Sequence, residues 1–110
     1  MKVKFYFQYW DDDAYARAES DLFCVGIDCI SMLLVGLIRR TEANELIQTL
    51  GKQEFEWWGE DARVCGDGCQ VKIYPATESE HAVIDRETLK KVVCDWIHFL
   101  ESREPAEYEY

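Results

Sequence analysis

From Ile30 onward, Ile30, Leu33, Leu34, Leu37 and Ile38 recur at i, i+3, i+4, i+7 and i+8, which places them along one face of a helix. Asp28 stands just ahead, where its carboxylate can cap the first-turn N–H groups, so the pattern predicts a helix over 29–40. Arg39 and Arg40 suit its C-terminal dipole, and Thr41 opens a second predicted helix over 42–50, with Ala43, Leu46, Ile47 and Leu50 inward and Gly51 as its stop. A third follows from Leu89, Val92, Val93, Trp96, Ile97 and Leu100. Asp85 is its N-cap, Glu87 lies in the first turn and Pro105 bars continuation. The apolar run from Leu22 to Ile38 is too short to span a membrane and contains Asp28, so it is read as core.

Period-two alternation marks the strands. Val3, Phe5, Phe7 and Tyr9 alternate with Lys2, Lys4, Tyr6 and Gln8, which predicts a strand with that first set facing the core. Trp10 and Asp11, Asp12 and Asp13 end it, and 11–21 is expected to be a loop or frayed turn; 22–27 is open between a strand and a buried loop. Phe55 and Trp57 form a second strand, closed by Gly59, Glu60 and Asp61, and Ala62 to Cys65 a third. The Cys65-Gly-Asp-Gly-Cys69 segment reads as a hairpin connection leading to Val71, Ile73 and Pro75, before a loop over 75–79 and a last extended piece from His81 to Ile84. These elements predict an α+β fold, a mostly antiparallel sheet of three or four strands packed against three helices. One domain is expected over 1–104, with 105–110 a mobile acidic tail.

Composition changes the picture in one respect. At 110 residues and 48% hydrophobic the chain is rich enough to bury a core, and its start shows no signal-peptide pattern, so a cytoplasmic protein is expected. Acidic residues outnumber basic ones by 22 to 12, for a net charge of −10, and they collect in 11–28, 54–78 and 104–110 while the helices stay near neutral. Such a field repels nucleic acid and anionic membranes and favours encounter with a basic protein, or serves solubility alone. A monomer or weak dimer is expected.

Candidate chemistry is sparse. The chain has no GxSxG, Walker, GxGxxG or HExxH motif, and His98 falls on the polar side of the last helix, so a non-enzymatic protein without cofactor is expected. Carboxylates on three consecutive residues, Asp11 to Asp13, do not converge as calcium ligands do, and no metal site is assigned. Cys65 and Cys69 form a CxxxC pair that can face each other across hairpin strands; a redox or metal role is the alternative. Cys24, Cys29 and Cys94 are expected to be buried as small hydrophobes.

The remaining candidate is a surface. Strand alternation lets only one of Trp57 and Trp58 face the core, leaving the other indole outward beside Glu60 and Asp61. With Asp11, Asp12 and Asp13 steering and a tryptophan anchoring, these residues are read as the partner-binding face. Phe5 to Trp10 followed by the three aspartates, the Trp57-Trp58-Gly-Glu-Asp segment, and the ending from Val83 to Leu100 with its helical tryptophan resemble the small immunity proteins of bacterial polymorphic toxin systems, contact-dependent inhibition included. The resemblance implies a stoichiometric inhibitor that occupies the active site or substrate groove of a basic cognate toxin, often a nuclease, and that has no activity of its own. An acidic DNA mimic and a small thiol or metal protein using Cys65 and Cys69 are the alternatives.

Overall fold

A computed structural model of the chain describes residues 1–75 and 78–110. In order it runs β1 (Lys2–Trp10), β2 (Asp13–Ser20), β3 (Phe23–Cys24), β4 (Ile27–Asp28), α1 (Cys29–Leu34), α2 (Arg40–Thr49), β5 (Glu54–Trp58), β6 (Ala62–Asp67), β7 (Gln70–Pro75), β8 (Ala82–Asp85), α3 (Arg86–Ser102) and β9 (Ala106–Glu109). Two antiparallel sheets, ordered β2-β1-β9 and β5-β6-β7-β8, and the small hairpin of β3 and β4 surround the helices, an α+β architecture. The loop expected over 75–79 falls partly on residues 76 and 77, outside the described residues.

In the first sheet, size complementarity sets the rungs. Phe5 pairs with Ala18 and Phe7 with Ala16, so large inward rings of β1 meet small inward residues of β2. The expected loop over 11–21 is therefore a strand. Its inward alternation is carried by Ala16 and Ala18, whose single methyl groups leave little hydrophobic contrast along the chain. The tail is also corrected. Ala106–Glu109 pairs with β1 as an edge strand, Tyr108 stacks near Phe5 with ring centroids 5.6 Å apart, and the Tyr110 hydroxyl donates to the Asp95 carboxylate at 2.6 Å. Inward residues alternate with outward Glu107 and Glu109 here too.

Helix α1 touches β2 on one side and β6 and β7 on the other, joining the two sheets through Ile30, Leu33 and Leu34. Asp28 caps it, accepting from the Ser31 N–H at 3.0 Å, and also accepts from the backbone N–H and hydroxyl of Ser20 at 2.6 Å. The helix is shorter than the expected 29–40. It ends at Leu34 with Val35 as C-cap, so Leu37 reaches the core from a turn while Ile38 is left exposed. Helix α2 accordingly starts at Arg40, without a side-chain cap. Helix α3 begins as expected, with Asp85 accepting from the Thr88 N–H, and buries Leu89, Val92, Val93, Trp96 and Phe99. Trp96 is fully buried, packs edge-on against Phe5 and donates its indole N–H to the Leu37 carbonyl at 2.8 Å. That bond satisfies a carbonyl freed where α1 stops short.

Two further features shape the surface. The β3–β4 turn places Val25 at φ 52° and Gly26 at φ 74°, so a β-branched residue occupies the left-handed region. Arg86, the first residue of α3, donates to the carbonyls of Leu50, Lys52 and Gln53 and lies over the Phe55 ring, tying the end of α2 to the start of β5.

Candidate functional site

Two hairpins present the residues that the sequence singles out. In the first, the packed part of β1 ends at Phe7, which stacks on Phe99 at 4.7 Å and is covered by the Arg103 guanidinium at 4.7 Å. Beyond that rung every residue from Gln8 to Tyr15 is exposed. The rungs Gln8 with Tyr15, Tyr9 with Ala14 and Trp10 with Asp13 continue the ladder past the body for about 10 Å, at roughly 3.4 Å per residue. The result is an arm bare on both faces. Tyr9 is 73% exposed, Trp10 69% and Tyr15 43%. The expectation that Tyr9 faces the core fails for this reason: its side is the core side, but the core ends two rungs earlier, at Phe7. Asp11 and Asp12 form the two-residue turn and Asp13 opens β2, with Asp11 at φ 52°, where glycine would be the unstrained choice.

The second hairpin joins β5 to β6. Trp57 lies on the inward side, its indole so close over Gly59 that a Cβ there would meet the ring at 2.6 Å. Only glycine fits. Trp58 points the other way and is 70% exposed, which is the one-in, one-out arrangement required by strand alternation. Its ring rests 5.2 Å from the guanidinium of Arg63, its cross-strand partner, and Arg63 lies also over Tyr74 at 4.0 Å and beside Glu56 at 3.4 Å. Glu60 and Asp61 are exposed in the turn. Trp58 thus stands with a cation beneath it and two carboxylates beside it.

The structure puts these residues on two hairpins that belong to different sheets. Asp11, Asp12 and Asp13 tip the arm; Trp58, Glu60 and Asp61 group at the second turn, with Trp57 directed inward beneath it. No hydrogen bond or ion pair among the described residues links the two turns.

The thiols do not form the expected pair. Cys65 lies opposite Lys72 in the β6–β7 ladder, Asp67 lies opposite Gln70, and Cys69 sits in the two-residue turn after Gly68, so the hairpin turns later than a CxxxC flanking arrangement requires. Cys94 is exposed on α3 rather than buried, because it falls on the solvent side of the register set by Val93 and Trp96. Cys24 and Cys29 are buried. Burial first, and the Cys24 thiol next, push the Cys29 thiol up to about 11. Among the described residues no three His, Cys, Asp or Glu side chains gather to hold a metal ion. A concavity of about 580 Å³ lies on the outer face of the first sheet, where Lys2 and Lys4 alternate with Glu19, Asp21, Glu107 and Glu109. No helix among the described residues is long and apolar enough to cross a membrane.

No family model, curated protein or solved structure matches the chain. Site residues therefore rest on geometry. Sequence reasoning missed Tyr9, Trp10 and Tyr15, which the arm carries outward. The available signal was that the β1 alternation continues to Trp10 while the facing residues on β2 shrink to alanine.

Proposed function

We propose that this protein is a stoichiometric inhibitor of the immunity type, which neutralises a basic protein by covering its anion-binding surface. One observation carries the reading. Each of the two hairpins ends its first strand in an outward tryptophan and follows it with acidic turn residues: Trp10 before Asp11, Asp12 and Asp13, and Trp58 before Glu60 and Asp61. Tryptophan is among the residues most enriched at interface hot spots. Carboxylates around such an anchor accelerate encounter with a cationic surface and set orientation, which a net charge of −10 extends over the whole molecule.

The test is a binding and rescue experiment with the product of the reading frame next to this one. Purified protein is titrated against that product by calorimetry at two salt concentrations, and growth is measured when the two are co-expressed. A one-to-one complex weakened by salt, with growth restored, supports the inhibitor reading. No complex and no rescue remove it.

A further inference from the structure

The arm formed by the distal halves of β1 and β2 stands clear of the core, exposed from Gln8 to Tyr15. Apart from Arg17, which donates to Gln8 and lies 5.7 Å over the Tyr15 ring, no packing partner is seen for it among the described residues, and Tyr9, Trp10 and Tyr15 stay exposed on a two-stranded ladder that is at best marginally stable by itself. What fixes it is its root, where Val3, Phe5 and Ala18 are buried and set the register of every rung beyond. A narrow, convex element carrying aromatic side chains on both faces is shaped to enter a groove, since only concave walls can cover both faces at once. Trp10 and Tyr15 belong to one face, on which Trp10 lies opposite Asp13; Tyr9 belongs to the other.

We infer that this arm is a plug that inserts between the walls of a basic cleft on a protein partner, with Trp10 and Tyr15 packing against one wall and Tyr9 against the other. Charge complementarity selects that occupant. The tip that leads the insertion, the turn residues Asp11 and Asp12 with Asp13 at the start of β2, carries three carboxylates and no cation, so an acidic or merely apolar groove would strip their water without return. The three carboxylates alone would be a solvated turn; the aromatic set on both faces is what requires a covering partner. The inference rests on the inhibitor reading and deepens it, by naming the arm rather than the Trp58 turn as the element that occupies the cleft.

The experiment uses the full chain and the product of the adjacent reading frame, with association and dissociation followed by surface plasmon resonance. Three variants are compared: Tyr9→Ser with Trp10→Ser and Tyr15→Ser; Asp11→Asn with Asp12→Asn and Asp13→Asn; and Trp58→Ser. Circular dichroism checks that each is folded, and Trp10→Ser alone is the reserve if the triple variant is not. The aromatic triple variant is expected to dissociate about 100-fold faster. The aspartate variant is expected to associate about tenfold more slowly, with a flatter salt dependence. Trp58→Ser, which removes the second outward anchor, is expected to speed dissociation about tenfold, less than the arm variant does. Unaltered dissociation of the folded aromatic variant, with Trp58→Ser weakened, overturns the arm while leaving the inhibitor reading intact. Failure of the unmodified protein to bind overturns both.

Discussion

Replacing Trp96 with Phe should reveal what it contributes where α1 ends early. The substitution keeps an aromatic ring against Phe5 and Phe99 but removes the N–H that reaches the Leu37 carbonyl at 2.8 Å. Trp96 is fully buried, so no water stands ready to replace the donor, and an orphaned buried acceptor costs about 1–3 kcal/mol. The lost ring atoms leave a small void worth about 1 kcal/mol more. The expected loss is about 2–4 kcal/mol, or a melting temperature lower by about 10–15 °C in a domain of this size. Urea unfolding at constant m-value measures it. Phe99→Leu is the control, since it thins the same aromatic cluster without touching a hydrogen bond and should cost about 1 kcal/mol. Equal losses for the two variants, or a loss below about 0.5 kcal/mol for Trp96→Phe, would refute the role given to the Leu37 bond.

Val25→Asn should stabilise the protein by about 1 kcal/mol in the same unfolding assay, because it places the residue that best tolerates a positive φ ahead of Gly26; a destabilised variant would show that Val25 is not strained. Burial, reinforced by the hydrogen bond to Asp95, raises the Tyr110 hydroxyl above its ordinary 10.0. The folded group thus holds its proton where the unfolded one releases it, so this contribution is complete below pH 10 and is lost as pH climbs past it. Tyr110→Phe should therefore flatten the alkaline fall in stability, and an unchanged profile above pH 10 would contradict the assignment. Iodoacetamide at pH 8 should label exposed Cys69 and Cys94 and spare Cys29 until the chain is unfolded, as read by mass spectrometry; equal labelling rates for Cys29 and Cys69 would count against its burial.

The helices were legible because leucine, isoleucine and valine announce their faces. Asp28 and Asp85 mark N-termini by a carboxylate that reaches the third residue beyond, a local signal independent of the rest of the fold. Where α1 ends was not legible. Ile38 continues the helical register, but the Leu37 carbonyl is taken by the Trp96 indole N–H, a contact across the fold. Strand β2 was missed because alanine is small by design opposite Phe5 and Phe7, a reason that exists only once the two strands are paired. The tail was missed similarly, as Tyr108 finds its place beside Phe5 only through pairing with the first strand. At the candidate site, local alternation predicts the split between Trp57 and Trp58. The bareness of Tyr9 and Trp10 depends on where the core stops, which no local pattern states.

The order β2-β1-β9 has a kinetic meaning. The first strand binds one neighbour that follows after a two-residue turn and another drawn from the far end of the sequence. Closing the short loop is fast and the long one slow, so the β1–β2 hairpin is expected to form early and to wait for β9 with one edge unpaired. An open edge of alternating Val3, Phe5 and Phe7 is a template for strands of other chains. The outward lysines on that strand, Lys2 and Lys4, act as gatekeepers during the interval, and the glutamates of the late strand settle opposite them: Lys2 pairs with Glu109 and Lys4 with Glu107. The same charges that fill the outer face of the finished sheet thus guard its unfinished one, and register is read out when the last strand arrives.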